Sequence, residues 1–206
     1  MSASNLKLYY SPGACSLSPH IALAEAGLEY SIEKVDLKAK KTESGADFFA
    51  VDPNGMVPVL VLGDGQTLTE GPAIVQYIAD LAPASKLAPP AGSLERVRLQ
   101  EALNFISTEL HKSFSPLFNP AAPEDWKTVM RGLIGRRLDV VEQKLAGRDY
   151  LLGKFSVADG YLFTILGWGR LVGIDIAARP VLAAYAERVK ARPAVQRAMK
   201  EEGLIK

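Results

Sequence analysis

The sequence contains few of the residues that cross-link a small fold or hold a metal ion. Its 206 residues include one cysteine, Cys15, and two histidines, His20 and His111. A single cysteine forms no internal disulfide and no C-x-x-C dithiol, which excludes a disulfide-stapled secreted domain. The cysteine and histidines are also too widely spaced to match a metal-ligand pattern, so we predict no metal site.

Long apolar runs and an excess of one charge are lacking as well. The most continuous apolar stretch, residues 157–174, is interrupted by Asp159, Arg170 and several glycines, so it is too broken to span a bilayer. The polar start of the chain, Met1–Asn5, is not followed by a signal-peptide pattern. A formal net charge of +1 is too small for a protein whose main partner is a polyanion. We therefore predict a cytoplasmic protein that binds neither nucleic acid nor a membrane.

The charges that are present divide the chain into two parts. Residues 1–83 carry five lysines, no arginine and ten acidic residues, a formal charge of −5, whereas residues 84–206 carry +6. The change coincides with a stretch of prolines and small residues between positions 83 and 93, where a helix cannot continue. We therefore predict two domains, residues 1–83 and residues 93–206.

The predicted first domain alternates between strand and helix patterns in the order β-α-β-α-β-β-α. Ser18 is the predicted N-cap of its first helix, and Gly71 stands at the start of its last helix. A short helix is expected around Phe48 and Phe49. The predicted strands are Leu6–Tyr10, Tyr30–Leu37, Val57–Leu62 and Thr67–Leu68.

The predicted second domain shows only helical periods. Apolar residues recur every three or four positions over residues 99–117 and 130–145. Residues 157–172 are apolar on nearly every face, which predicts a helix surrounded by others. Ser156 and Asp159 form a capping-box variant at its start, so we interpret this carboxylate as structural. Two further helices are predicted over residues 180–191 and 193–202.

Cys15 lies between the first predicted strand and the first predicted helix. Free N–H groups and the helix dipole make this position partly positive, which should lower the pKa of the thiol. Cys15 and Ser18 have the spacing of a C-x-x-C motif without its second sulfur, so a mixed disulfide there needs an external thiol such as glutathione. The alternative is an inert core cysteine; the turn beside serine, proline and glycine favours the functional interpretation.

Two further patterns suit an amino-acid or peptide ligand. Pro58 opens a strand and suits a cis peptide bond, which leaves the backbone of Val57 free to pair with an extended peptide. Glu70 stands beside the free N–H groups of a helix start, and together they suit the ammonium and carboxylate groups of an amino acid. A plain turn and simple charge placement are the respective alternatives.

In this order, these segments resemble the cytosolic glutathione S-transferases, and most closely the bacterial beta class, which carries cysteine at the head of the first helix. The resemblance covers nearly the full chain and includes Tyr9–Ser16, Val57–Pro58, Glu70–Gly71 and Ser156–Asp159. It implies an α/β thioredoxin-like N-terminal domain followed by an all-α C-terminal domain. It also implies an enzyme that conjugates glutathione to small apolar electrophiles and uses no cofactor beyond glutathione.

The resemblance also implies roles for individual residues. Cys15 faces the glutathione sulfur and forms a mixed disulfide with it, and His111 approaches the thiol. Tyr10 matches the thiol activator of other classes, although it is usually not the main catalyst in the beta class. The residues implied to bind glutathione are Cys15, Lys40, Val57, Pro58, Glu70, Gly71, Asn104, Thr108, His111 and Lys112.

Three of these matches are incomplete, and a fourth point, the pairing of Asn104 with His111, depends on the predicted helix. Lys41 next to Lys40 leaves the choice of lysine open, and Gly71 stands where the family usually has serine. Thr108 stands where some relatives have serine, which is a mild change. Asn104 and His111 are seven residues apart, so on an α-helix they share one face.

Two other functions remain as alternatives. Cys15 can serve as the nucleophile of a glutathione-dependent thiol transferase or reductive dehalogenase, or the fold can serve as a non-catalytic carrier of apolar ligands. The opposite charges of the two domains suit an antiparallel homodimer. Candidate residues for the second substrate, each equally well a core residue, are Leu17, Phe114, Phe118, Trp126 and Trp168.

Overall fold

The computed structural model describes residues 5–206, so the polar terminus considered above lies outside the described residues except for Asn5. The chain divides into two compact units. The first unit comprises the chain up to Ala88 together with Ala191–Lys206, and the second comprises Pro89–Lys190. The boundary after Ala88 falls within the predicted linker, whereas the end of the predicted helical domain belongs to the first unit.

A five-stranded mixed sheet forms the centre of the first unit. Its strands are β1 Leu6–Tyr10, β2 Tyr30–Asp36, β3 Lys41–Thr42, β4 Val59–Val61 and β5 Thr67–Leu68. Their order in the sheet is β3-β2-β1-β4-β5, with β1 parallel to β2 and antiparallel to β4. The central position of β1 explains why its side chains are almost all buried. The sequence predicts four of these strands but not β3, because two residues show no alternation.

Two helices of the first unit begin beside the candidate functional segments. These are α1 at Leu17–Ala26 and α2 at Gly71–Leu81. The prediction that Ser18 caps α1 is wrong, because helical bonding has already begun at Cys15 and Ser18 is buried inside the first turn. The short helix expected near Phe48 is a single 3-10 turn that Asp47 caps.

Helices account for all the regular secondary structure described in the second unit. They are α3 Leu94–Phe105, α4 Lys112–Phe118, α5 Glu124–Leu145, α6 Val157–Gly167, α7 Gly169–Val172 and α8 Pro180–Lys190. A π-helical segment, Ile106–His111, joins α3 to α4. Among residues 5–206, no helix combines the length and apolar character needed to cross a membrane.

The helix predicted over residues 157–172 is divided in the structure. The chain turns at Trp168, so that α6 ends and the short α7 begins. Gly169 lies so close to the following loop that a Cβ on it would be 2.6 Å from the carbonyl oxygen of Ile174. The prediction of one helix is therefore wrong, because apolar composition does not reveal a close backbone contact.

The carboxylate of Asp159 is enclosed at the start of α6. It accepts hydrogen bonds from the N–H and hydroxyl of Ser156, at 2.9 and 3.0 Å, and from the N–H of Leu151 at 3.0 Å. The hydroxyl of Tyr185 donates a further bond at 2.9 Å. Burial raises the pKa of Asp159, although each of these four donors opposes the rise. The group therefore joins α6 to a loop and to α8.

The last helix, α9 at Pro193–Glu201, packs against α1 within the first unit. Arg192 at its start forms two hydrogen bonds with Glu25 of α1, at 2.6 and 2.8 Å. The sequence assigns this helix to the helical domain because its period is helical, and a period does not specify a packing partner. With this helix included, the formal charges are −2 for the first unit and +3 for the second.

Candidate active site

Cys15 lies in the loop between β1 and α1, immediately before the helix. Its Sγ donates a hydrogen bond to the carbonyl oxygen of Val57 at 3.1 Å. The peptide bond between Val57 and Pro58 is cis, and β4 begins at the following residue. The fold therefore brings together two candidate segments that are 42 residues apart in the sequence.

The Cys15 thiol is not acidified as its position in the sequence suggests. Burial raises its pKa to about 11, the N–H groups of Cys15 and Ser16 oppose that rise, and the Glu70 carboxylate adds to it. The expectation of a lowered pKa is wrong because the loss of hydration outweighs the effect of the helix start. At neutral pH the group is a protonated thiol, which donates hydrogen bonds and is a weak nucleophile.

The loop that carries Cys15 is held by contacts at two points. Ser16 is fully buried, and its Oγ accepts a hydrogen bond from the N–H of Ser11 at 3.1 Å. Gly13 donates its N–H to the Glu202 carboxylate at 2.8 Å. Gly13 also adopts a φ of 69°, a conformation that favours glycine. These contacts fix the thiol before any ligand is bound.

His20 is fully buried in α1 between two carboxylates. Its Nδ1 lies 3.0 Å from Glu202 and its Nε2 lies 2.7 Å from Glu201. Because Glu202 also accepts the N–H of Gly13, the end of the chain is connected to the Cys15 loop. The contacts of His20, whose role the sequence left open, are those of a residue that holds the first unit together.

Tyr10 is buried beside the His20 ring, with the two ring centroids 6.1 Å apart. Burial, followed by the charges of Glu202, Glu43 and Glu201, raises the pKa of Tyr10, so its hydroxyl stays protonated. These surroundings provide no group that would convert Tyr10 into a phenolate.

The segment before Val57 is also held from two sides. Asp52 is buried and accepts a backbone N–H of this segment at 2.9 Å. Lys40 donates from Nζ to the carbonyl oxygen of Gly55 at 2.7 Å. Lys41 belongs to β3 and is exposed. The position of Lys40 beside this segment favours it over Lys41 as the lysine of the candidate site.

Glu70 precedes α2 in a strained conformation, with φ of 64° and ψ of 104°. Such conformations are uncommon outside glycine and occur often at functional sites. Gly71 begins α2 and supplies the first N–H of the helix, because Pro72 has no N–H and Ala73 donates to the carbonyl oxygen of Glu70 at 2.9 Å. A Cβ on Gly71 would meet nothing within 4 Å, so the serine expected there from the resemblance would fit.

Asn104, Thr108 and Lys112 occupy exposed positions four residues apart in the second unit. Thr108 Oγ1 donates to the carbonyl oxygen of Asn104 at 3.0 Å. The π-helical segment departs from the α-helical period, so the argument that Asn104 and His111 share a face by α-helical spacing does not hold.

His111 is half-buried at the end of the π-helical segment, among aromatic residues. Its Nδ1 lies 2.6 Å from the Tyr161 hydroxyl, and the Trp168 ring meets it edge to face with centroids 4.9 Å apart. Burial, and secondarily the charge of Lys112, lowers the pKa of His111 to about 4. The ring is therefore neutral at pH 7.

Three of the candidate residues for the second substrate form one cluster with His111. The rings of Phe114 and Phe118 both lie 5.6 Å from Trp168 between centroids. Phe118 is 46% exposed, so the cluster presents an aromatic surface. Trp126 is exposed elsewhere on α5, and Leu17 is a buried residue of the first unit.

A cavity of about 710 Å³ in the second unit contains none of the predicted site residues. Its walls are mainly apolar and include Phe163, Leu166, Ile174, Ile176, Ala183 and Ala186. Among residues 5–206, no three or more His, Cys, Asp or Glu side chains are grouped as a metal site requires.

Four residues that shape the candidate site were not predicted for it from the sequence. Ser16 lies in the Tyr9–Ser16 segment of the resemblance without a role of its own, and none of Asp52, Tyr161 and Glu202 belongs to a predicted site pattern. Asp52 and Ser16 each accept a hydrogen bond from a backbone N–H four or five residues away. Turn-forming Asp and Ser side chains are a local sequence signal, so both residues could have been predicted from it. Glu202 is 182 residues from His20, and no local signal connects positions so far apart.

The sequence matches the family models of both glutathione S-transferase domains. The N-terminal domain model matches residues 13–81 and the C-terminal domain model matches residues 105–193. Glutathione S-transferase GstA of Escherichia coli O157:H7 is 45% identical over 97% of this chain and 100% of its own. The chain belongs to the glutathione S-transferase family, with a thioredoxin-like α/β part and an all-α part as predicted.

Solved structures agree with this assignment. A sphingomonad glutathione S-transferase complexed with glutathione is 53% identical, with a TM-score of 0.93 over 97% of this chain and 100% of that chain. The beta class glutathione S-transferase of Sphingomonas chungbukensis is 48% identical, with a TM-score of 0.94 over the same shares. The resemblance to the beta class is therefore confirmed.

Proposed function

We propose that this protein is a glutathione transferase that joins the sulfur of glutathione to small apolar electrophiles. The hydrogen bond from Cys15 to the Val57 carbonyl carries the proposal, because it places a thiol at the start of α1 beside the cis peptide bond. Family membership supports the class of reaction, and glutathione is the one co-substrate that the reaction requires.

In this proposal Cys15 assists catalysis as a hydrogen-bond donor. When glutathione binds, the single S–H hydrogen of Cys15 turns from the Val57 carbonyl to the anionic sulfur of glutathione, which stabilises that sulfur and so lowers the pKa of the glutathione thiol. The glutathione thiolate then attacks the electrophilic carbon, a C–S bond forms, and the leaving group departs with its electron pair. The proton of the glutathione thiol passes to solvent.

The remaining parts of glutathione are assigned by the chemistry of each group. The backbone of Val57 pairs with the cysteinyl residue, and Lys40 attracts the glycine carboxylate. Glu70 and the N–H of Gly71 hold the γ-glutamyl ammonium and carboxylate. By the family resemblance, Asn104, Thr108, His111 and Lys112 are assigned to glutathione as well.

Phe118, the exposed member of the aromatic cluster, is proposed to contact the electrophile, with the buried rings of Phe114 and Trp168 packed behind it. Its exposed surface is apolar, and offset or edge contacts between rings favour an aromatic substrate. This assignment rests on the second unit alone, in which all three residues lie.

The test is conjugation of glutathione to 1-chloro-2,4-dinitrobenzene by the wild type and by Cys15→Ala. We expect activity in the wild type and a loss of about tenfold in the variant, the effect of removing one weak S–H donor to a charged sulfur. Complete loss in Cys15→Ala, with glutathione binding retained, would identify Cys15 as the nucleophile. Absence of both conjugation and reduction of glutathione mixed disulfides in the wild type would overturn the proposal.

A mixed disulfide between Cys15 and glutathione is proposed as a slower reaction of the same site. The Cys15 thiolate attacks oxidised glutathione, a new S–S bond forms, and one glutathione thiolate is released. Because the pKa of Cys15 is about 11, adduct formation followed by intact mass should be slow at pH 7 and faster at pH 9. A rapid adduct at pH 7 would favour the thiol transferase alternative.

We further propose a cytoplasmic homodimer that serves in detoxification. Conjugation to glutathione adds charge to an apolar electrophile, which suits its removal from a cell. The opposite formal charges of the two units, −2 and +3, favour an antiparallel pair, although salt weakens this effect. Light scattering at micromolar concentration should give the mass of a dimer, and a monomer would contradict it.

A further inference from the structure

Tyr161 contacts His111 through both its ring and its hydroxyl. Tyr161 lies in α6 and is 2% exposed. Its hydroxyl is 2.6 Å from Nδ1 of His111, and the two rings meet edge to face with centroids 5.8 Å apart. Packing alone requires no hydroxyl at this position, so the short hydrogen bond points to a more specific role.

Trp168 fixes the other side of the same imidazole. Its ring meets His111 at an interplanar angle of 72°, and Phe114 and Phe118 pack edge to face against Trp168 in turn. The imidazole therefore has a defined plane and one nitrogen bonded to Tyr161, and Nε2 has no hydrogen-bond partner among residues 5–206.

The chemistry of the two groups gives the direction of the hydrogen bond. A phenol O–H is a stronger acid than a neutral imidazole N–H, and an unprotonated imidazole nitrogen is a stronger base than a phenol oxygen. The favoured arrangement has the Tyr161 hydroxyl donating to Nδ1. The single proton of the neutral His111 ring then lies on Nε2.

We propose that Tyr161 is a positioning residue that holds His111 in its neutral Nε2–H tautomer, so that His111 acts as a hydrogen-bond donor and not as a general base. The proposal rests on the function above, in which His111 approaches the reacting groups. A donor at Nε2 stabilises negative charge, either on the glutathione sulfur or on the electrophile as the sulfur adds to it. No proton leaves the imidazole during the reaction.

The first test reads the tautomer without substrate. Long-range ¹H–¹⁵N correlation spectra at pH 7 report which nitrogen of each histidine ring carries the proton, and His111→Gln identifies the His111 signals by their loss. We expect the proton on Nε2 in the wild type and a mixture of tautomers in Tyr161→Phe. The control Tyr150→Phe removes a hydroxyl from the same unit and should leave these signals unchanged. A wild-type proton on Nδ1, or unchanged signals in Tyr161→Phe, would overturn the proposal.

The second test measures whether Tyr161 acts through His111. Tyr161→Phe should lower kcat for 1-chloro-2,4-dinitrobenzene by about tenfold and leave the KM for glutathione unchanged, because it removes one positioning contact. In the His111→Gln background the same substitution should have no further effect. An equal loss in both backgrounds would overturn the proposal. Full activity of His111→Gln with the expected tautomer shift would instead contradict the proposed function of His111 and leave its tautomer as inferred.

Discussion

The two units use different physical means to fix their candidate residues. In the first unit His20 lies between the carboxylates of Glu201 and Glu202, and backbone N–H groups complete the cluster. In the second unit His111 meets a neutral hydroxyl and the rings of aromatic residues. The same side chain is therefore enclosed between two carboxylates in one unit and bonded to a hydroxyl among aromatic rings in the other.

Because of this difference, we expect His20 to affect the stability of the fold and His111 to affect the reaction. Both nitrogens of His20 contact carboxylates, so it has no ring nitrogen left for a substrate, and its removal would take one partner from the buried carboxylate of Glu202 and one from Glu201. His111 makes one hydrogen bond and keeps a nitrogen available. Substitutions at the two positions should accordingly differ in what they change.

The largest expected effect is on the framework of the first unit. Glu202→Ala leaves His20 Nδ1 and the Gly13 N–H without their shared acceptor, so the free energy of unfolding should fall by about 3 kcal/mol. Urea unfolding measures this change, and hydrogen exchange of residues 11–16 should quicken. Glu29→Ala, at an exposed position of the same unit, is the control. Equal free energies of unfolding for Glu202→Ala and Glu29→Ala would contradict the view that the Glu202 carboxylate holds the first unit together.

The variants His20→Gln and His111→Gln allow a direct comparison of the two units. His20→Gln should lower the free energy of unfolding by about 2 kcal/mol, because it disturbs both contacts of a fully buried side chain at once. His111→Gln should lower it by less than about 1 kcal/mol and act mainly on kcat. We therefore expect His20→Gln to lower the free energy of unfolding more than His111→Gln does, and His111→Gln to lower kcat more than His20→Gln does. The same ranking in both assays would show that the two histidines do not differ as described.

The dependence of stability on pH should show that His111 is neutral in the folded protein. Its pKa is about 4 in the folded protein, against an ordinary value of 6.5. Between these values the unfolded chain takes up a proton that the folded protein does not, so the contribution of His111 to stability is present above pH 6.5 and is lost as the pH falls towards 4. Urea unfolding from pH 7 to 4.5 should therefore show a smaller loss for His111→Gln than for the wild type. Parallel curves would indicate that the imidazole is not buried as described.

The smallest expected effect concerns glutathione binding by the first unit alone. Gly71→Ser supplies a hydroxyl at the start of α2 in a space that is open, so glutathione should bind about threefold more tightly, the effect of one weak hydrogen bond. Gly71→Ala adds the same Cβ without the hydroxyl and serves as the matched control. Calorimetric titration distinguishes the two variants. Equal affinities would mean that the hydroxyl does not reach the γ-glutamyl carboxylate.

The sequence by itself determined those features whose contacts are local. Alternation predicts the strands around β1, helical periods predict the second unit, and Ser156 and Asp159 are three residues apart in a capping pattern. Cys15 and the segments at Val57 and Glu70 each precede a strand or helix, so turn chemistry marks them individually. Their joint order is what identifies the family.

The tertiary structure decided which distant groups share an environment. In the structure α9 belongs to the first unit and not to the helical domain that the sequence predicts for it. Glu202 is hydrogen-bonded to the Cys15 loop, and Tyr161 contacts His111. The tertiary structure also reverses the expected pKa shift of Cys15, because burial depends on packing and outweighs the local helix start. Residue type and spacing determine hydrogen bonds within a turn, whereas desolvation and long-range pairing are determined only when the chain has folded.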